Sequence, residues 1–252
     1  MGKGGSCLRV EFTFTSKNEI VLPIHHNHIL QGFIYNSFSD KSFATFLHDQ
    51  GYKWNKRNFK LFTYSRLMGK YKINNQKKEI VYQPPVCLVI SSIKDEIIQD
   101  LTANIIKKSW LQLGKQQVFM DNLRLETYSH QQDELTVNML SPVVTYHTVI
   151  EDGKKKTHYF SPWDGEFSEQ IKNNLLKKYE IIHGESIWVN NFTIRALFSK
   201  KNRPNIVLYR GFVIKGWMGK FKLSAASKLL ELAFDAGIGA KNSMGHGCFE
   251  IV

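Results

Sequence analysis

The chain has 252 residues, room for one large domain or two smaller ones that each bury a core. Its 34 Lys and Arg face 22 Asp and Glu, a net charge of +12, so a polyanionic partner is expected, nucleic acid ahead of acidic membrane. No apolar run approaches a membrane span and no secretory segment follows Met1, which predicts a cytoplasmic protein with no membrane partner. Cys7, Cys87 and Cys248 stand far apart without CxxC spacing, which argues against a disulfide framework or zinc ribbon and for a reducing compartment. Residues 1–6, MGKGGS, read as an appended leader outside the fold.

In chain order, Leu8, Val10, Phe12 and Phe14 alternate with Arg9, Glu11, Thr13 and Thr15, the period of a half-buried strand. After Pro23, the residues Leu30, Phe33, Ile34 and Phe38 fall on one helical stripe. Asp40 can cap a second, short helix through Phe43, Phe46 and Leu47, ended by Gly51. Residues 50–78 then hold nine Lys or Arg, among them Lys53, Lys56, Arg57 and Lys60, and no acid, with Tyr52, Trp54, Phe59, Phe62, Tyr64 and Tyr71 interleaved. Single-stranded nucleic acid is held in this way, by cations along its backbone and aromatic rings under its bases, although Leu61, Phe62 and Tyr64 also read as a buried strand. Short strands are predicted at 61–65, 71–73, 79–82 and 86–91. An amphipathic helix follows over 94–111, with Ile97, Ile98, Leu101, Ile105 and Ile106 inward, and then a strand over 118–125.

The second half repeats the rhythm. Strands are predicted over 135–139 and 143–149, with Asp152 and Gly153 turning the chain into 157–160. A helix through Phe167, Ile171, Leu175 and Tyr179 precedes strands over 187–197, 206–215 and 219–223, a last helix from Ser227 to Ala236, and a final strand over 248–252. Each half therefore reads as an α+β unit of ferredoxin-like (RRM-like) type, one over residues 7–128 and one over 134–252, joined through SHQQDE.

Chemistry-bearing residues are sparse. His25, His26 and His28 lack the spacing and carboxylates of a metal site, and His130, His147, His158 and His183 are expected on the surface; no metal or other cofactor is called for. His48 differs by position, since it ends the short helix beside the basic run, with Tyr35 on the first helix and Lys60 opening the next strand. That set suffices for RNA cleavage without metal: the 2′-hydroxyl loses a proton, the 5′-oxygen gains one, and a cation steadies the phosphorane between them. Near the C-terminal end, GIGAKNSMGHG sets Gly237, Gly239, Gly245 and Gly247 around Lys241, Asn242 and Ser243. Glycines there serve either close packing of backbone or an anion-binding concavity, and the loop alone leaves both open.

The segments LPIHHNHILQGFIYNSF, FATFLHDQGY, FKLFTYS and AGIGAKNSMGHGCFEIV resemble, in this order and over nearly the whole chain, the CRISPR-associated endoribonucleases that process repeat RNA, members of the repeat-associated RNA-binding superfamily. The resemblance implies two tandem ferredoxin-like domains and metal-independent cutting within a CRISPR repeat. The products implied are a 5′-hydroxyl, a cyclic phosphate and guide RNA with a repeat-derived 5′ tag. It maps a catalytic tyrosine, histidine and lysine onto Tyr35, His48 and Lys60, with Lys53, Lys56 and Arg57 as neighbours competing for the lysine role and, with the glycine loop, for RNA. His246 departs from the family, where an aromatic such as phenylalanine is usual. Two rival readings are a non-cleaving RNA-binding subunit of a CRISPR effector complex and a general single-strand RNA binder. Either a monomer or a homodimer fits.

Overall fold

The computed structural model describes residues 8–189 and 191–252; Cys7 and residues 1–6, read above as a leader, lie outside the described residues. The first unit runs β1 (Leu8–Thr15), β2 (Ile20–Pro23), α1 (Asn27–Asn36), α2 (Lys41–Asp49), β3 (Tyr52–Trp54), β4 (Arg57–Phe59), β5 (Phe62–Tyr64), β6 (Met68–Asn74), β7 (Glu79–Ser92), α3 (Asp95–Lys107), β8 (Leu111–Leu113) and β9 (Gln116–Thr127). Its antiparallel sheet has the order β2-β7-β1-β9-β8, with β5 and β6 also pairing with β7, while β3 and β4 form a separate hairpin. Val10, Phe12 and Phe14 of β1 meet Leu30, Phe33 and Ile34 of α1 and Ile97, Ile98, Leu101 and Ile105 of α3 in one core. Burial of this apolar stripe on each helix against one sheet face is the main stabilising term.

The second unit runs β10 (Glu134–Met139), β11 (Tyr146–Glu151), β12 (Lys154–Tyr159), α4 (Gly165–His183), β13 (Thr193–Ala196), β14 (Asn205–Tyr209), β15 (Phe212–Gly216), β16 (Lys220–Ser224), α5 (Ser227–Ala236), a 3-10 turn (Asn242–Met244) and β17 (Phe249–Ile251). Its sheet order is β13-β16-β10-β17, with β11–β12 and β14–β15 as separate hairpins. Phe167, Ile171 and Leu175 of α4 and Leu229, Leu230 and Ala233 of α5 share a core with Val137, Phe221 and Phe249. The two units are tandem ferredoxin-like folds, as the order of elements predicts.

The units are clamped through the outer face of the first sheet. Alternation places Arg9 opposite the core residues of β1, and there it is buried rather than solvated. Its Nη1 and Nη2 donate to the carbonyls of Phe249 and Phe234 at 2.7 Å each, and the guanidinium lies 3.4 Å over the Phe234 ring. Ser91 Oγ donates to the same Phe234 carbonyl at 3.0 Å, and the Arg66 amide to Leu140 O at 2.9 Å. A strand that reads as half-buried is therefore covered on its second face at Arg9, while Glu11, Thr13 and Thr15 stay partly exposed.

Several expected boundaries move. The helix over 94–111 stops at Lys107, because Leu111 and Leu113 alternate inward as β8 while Ile106 points to solvent. The two strands at 79–82 and 86–91 are one, since Pro84 and Pro85 sit within β7 instead of breaking it. The strand over 206–215 is a hairpin, turned by Arg210 and Gly211, both with positive φ (47° and 84°). Of the strand over 187–197 only Thr193–Ala196 forms, and residue 190 lies outside the described residues. Neither β2 nor the β3–β4 hairpin is legible from alternation, being four and three residues a strand.

Candidate active site and nucleic-acid cleft

Tyr35 of α1, His48 of α2 and Lys60, which lies between β4 and β5 rather than opening a strand, meet at one place. On α1 the buried Leu30, Phe33 and Ile34 leave Tyr35 at the edge of the core, its ring packed edge-on against Phe62 at 5.9 Å and against the His48 imidazole at 5.1 Å between centroids. Burial, then Tyr209 and Asp49 nearby, push the Tyr35 hydroxyl far above its ordinary range, so it keeps its proton at any working pH. On α2 the Asp40 carboxylate caps the helix by accepting from the Ser42 and Phe43 amides at 2.8 and 3.1 Å. Ala44 and Leu47 face inward, which leaves His48 outward in the last turn, where the helix dipole favours a cation. Its Nδ1 lies 2.6 Å from Asp49 Oδ1; an ionised carboxylate only accepts, so Nδ1 carries the hydrogen and Nε2 is the free nitrogen.

Lys60 is returned to this helix end by the β3–β4 hairpin. Gly51 starts the reversal at φ +65°, where a Cβ would stand 2.5 Å from Phe59 O and 2.8 Å from the Lys60 side chain, so only glycine lets the strands fold back. Lys60 Nζ then donates to the His48 carbonyl at 2.7 Å, satisfying one of the orphan acceptors at the helix terminus. Burial lowers the ammonium and the Asp49 charge partly restores it. Lys53, Lys56 and Arg57 all lie on the hairpin and are exposed. Trp54 clips that hairpin to the second unit, its Nε1 donating to Glu180 Oε2 at 2.9 Å with Lys177 Nζ 4.9 Å over the ring.

The glycine loop stands across from this hairpin, and its four glycines are buried, all at positive φ. At Gly245 (φ +81°) a Cβ would lie 2.7 Å from the Tyr64 ring and 2.8 Å from Asn27 Nδ2, so the missing side chain lets the loop close onto the first unit. Asn27 Nδ2 donates to Met244 O at 2.9 Å and Gln31 Nε2 to Ser243 O at 2.6 Å, while the Tyr209 hydroxyl donates to Gln31 Oε1. Asn27, Gln31 and Tyr35 are spaced by four along one face of α1, so the helix that carries Tyr35 is bolted to the loop one and two turns earlier. Asn242 is an internal strut, donating to the carbonyls of Ile238 and His246 at 3.1 and 3.0 Å.

Beneath the loop lies Lys178, fully buried and unforeseen. Its ammonium donates to Ala236 O, Gly237 O and Asn242 Oδ1 at 3.0, 2.7 and 2.8 Å, and burial pulls it down to about 7. The sequence does carry a signal for it: Lys178 lies seven residues after Ile171 and three after Leu175, on the inward stripe of α4. His246 is also buried, and burial with Lys241 nearby lowers its imidazole to about 3, so it stays neutral. What the loop presents outward is Lys241, at φ +63° with its ammonium 4.8 Å from the Tyr146 ring and lowered by burial.

Hairpin, loop and α4 enclose a cleft of about 650 Å³ between the units. Arg57, Lys60, Lys177, Lys178 and Lys241 line it with His147, Tyr146, Gln170 and Asn174, and among the described residues no Asp or Glu does. Gln170, Asn174 and Lys177 recur at helical spacing on one side of α4, a polar stripe that alternation of apolar residues does not disclose. The Lys177 ammonium is lowered first by burial and then by Arg57, two cations lining the same space. Such a site attracts a phosphodiester chain.

His26 is buried and donates from Nδ1 to Pro23 O at 3.0 Å, while His147 stacks on His158 at 5.4 Å on the β11–β12 surface. Cys87 and Cys248 are free thiols. Among the described residues no helix is long and apolar enough to cross a membrane.

Comparison with known proteins bears on the whole length. Residues 21–124 match the family described as CRISPR-associated protein Cas6, N-terminal, and residues 124–251 match CRISPR associated protein Cas6, C-terminal. A relative from Methanocaldococcus jannaschii, named CRISPR-associated endoribonuclease Cas6 1, is 26% identical over 95% of this chain and 91% of its own. CRISPR-associated endoribonuclease Cas6 of Pyrococcus furiosus is 26% identical over 91% of this chain and 83% of its own. A solved structure described as CRISPR associated protein Cas6 superposes with a TM-score of 0.78 at 26% identity, over 97% of this chain and 99% of that one. With half of its length matched by the C-terminal family alone and most of the rest by the N-terminal one, the chain belongs to the CRISPR-associated Cas6 family.

Proposed function

We propose that the protein is a metal-independent endoribonuclease that cuts CRISPR repeat RNA by attack of a 2′-hydroxyl on the adjacent phosphodiester. The products are a 5′-hydroxyl and a cyclic phosphate, and the guide RNA keeps a repeat-derived 5′ tag. The observation that carries this reading is the convergence of Tyr35, His48 and Lys60 at the edge of a basic cleft between the two units. His48 and Tyr35 are the proton carriers and Lys60 the cation for the developing negative charge. Lys53, Lys56, Arg57, Lys177 and Lys241 hold the backbone of the RNA, with Asn242, Ser243 and the glycines shaping the loop that presents Lys241. The enzyme works in the cytoplasm, as a monomer or homodimer, and passes its product to an effector complex.

The test is end analysis of labelled repeat RNA after incubation in EDTA, with a second substrate carrying a 2′-deoxy sugar at the cut. Cleavage in chelator to a cyclic phosphate, abolished by the deoxy sugar, is expected. Binding without cleavage would support the non-catalytic subunit instead.

A further inference from the structure

The Asp49 carboxylate stands among all three proposed catalytic groups. It accepts the His48 Nδ1 hydrogen at 2.6 Å, and its charge reaches both the Tyr35 hydroxyl and the Lys60 ammonium. Among the described residues, Asp49 is the acidic side chain whose charge bears on both of those groups. We propose that Asp49 is a positioning residue that divides the proton roles, holding His48 in the Nδ1–H tautomer as general base and leaving Tyr35 as general acid. This rests on the endonuclease reading above.

Three consequences of the geometry point the same way. With Nδ1–H engaged, the lone pair available to substrate is on Nε2, the side of the imidazole away from the carboxylate. A negative charge near Tyr35 opposes a phenolate, so the hydroxyl of the partly buried ring packed against the imidazole is held as a donor. The same charge keeps Lys60 cationic at the site of the phosphorane. In the step, the 2′-hydroxyl proton moves to His48 Nε2 as the 2′-oxygen bonds to phosphorus. The bond from phosphorus to O5′ then breaks as the Tyr35 proton moves to O5′, and solvent carries the proton from His48 back to Tyr35.

A substrate with sulfur in place of the bridging 5′-oxygen separates the roles, because a thiolate leaves without a proton. Single-turnover rates are compared for wild type, Tyr35→Phe, His48→Ala, Asp49→Ala and Asp49→Asn on both substrates. Tyr35→Phe should be slow on the oxygen substrate and close to wild type on the sulfur one. His48→Ala and both Asp49 variants should be slow on each, Asp49→Ala by roughly 10- to 100-fold, less than a buried triad carboxylate because this one is solvated. In nitrogen-resolved NMR, His48 should carry its hydrogen on Nδ1 in wild type and on Nε2 in Asp49→Ala, a change that mere loosening of the fold would not produce. Asp49 variants as fast as wild type, or rescue of His48→Ala rather than Tyr35→Phe by sulfur, would overturn the assignment while leaving the nuclease intact. A wild type that cuts neither substrate would instead overturn the endonuclease reading itself.

Discussion

Replacing Gly247 by alanine separates the two roles a glycine loop can have. Gly247 is buried at φ +80°, its amide donates to Pro142 O at 2.9 Å and its carbonyl accepts from the Ile238 amide at 2.9 Å, so the backbone cannot swing away. A Cβ there would overlap the Ile238 carbonyl oxygen and stand 2.6 Å from Asn242 Nδ2. The left-handed conformation costs an L-residue about 1–2 kcal/mol and overpacking a further ~1–3 kcal/mol, giving a loss of about 3 kcal/mol. For a chain of this length that is a fall in Tm of roughly 6–12 °C. Calorimetric melts without RNA measure it, alongside RNA affinity at a temperature where both proteins are folded. A Tm within a degree of wild type together with a tenfold loss of RNA affinity would refute the packing role and return the glycines to the ligand.

Lys241→Ala keeps the left-handed backbone cost of any L-residue, so its Tm should hold while RNA binding weakens and the slope of log affinity against log salt falls by about one, read by filter binding across a salt series. Lys178→Met strands three buried acceptors and should cost about 3 kcal/mol. Because burial holds the folded ammonium at about 7 against 10.5 unfolded, the unfolded chain binds more protons in that window. Wild-type stability should therefore rise with pH through it, and Lys178→Met should abolish the rise in urea melts at pH 7 and 9. Trp54→Phe removes the donor to Glu180 and should cost about 1 kcal/mol while speeding tryptic cleavage at Lys53, Lys56 and Arg57 on the released hairpin.

The long amphipathic stretches were legible in sequence because period alone assigns them: Val10, Phe12 and Phe14 mark β1, and Phe167, Ile171 and Leu175 mark α4. Asp40 and Gly51 mark the ends of α2 by their own chemistry. Short hairpins were not legible, since three-residue strands such as β3 and β4 give no period and their turn at Asn55 is held by the Trp54 clip to α4. The trio is proposed from chemistry and resemblance; the Tyr35 and His48 rings pack 5.1 Å apart and Lys60 Nζ donates to the His48 carbonyl. Arg9, Gln31 and Lys178 escaped because their partners are backbone carbonyls more than 50 residues away, which no local pattern encodes. Lys178 was nonetheless marked by its place on an apolar stripe, where a cation implies a buried partner.

The most direct measurement of the central claim is the single-turnover rate of His48→Ala on repeat RNA in EDTA, set beside its affinity for the same RNA. Loss of cleavage by about 10²- to 10⁴-fold with affinity within a few-fold of wild type is the expected result. Cleavage at the wild-type rate would contradict it.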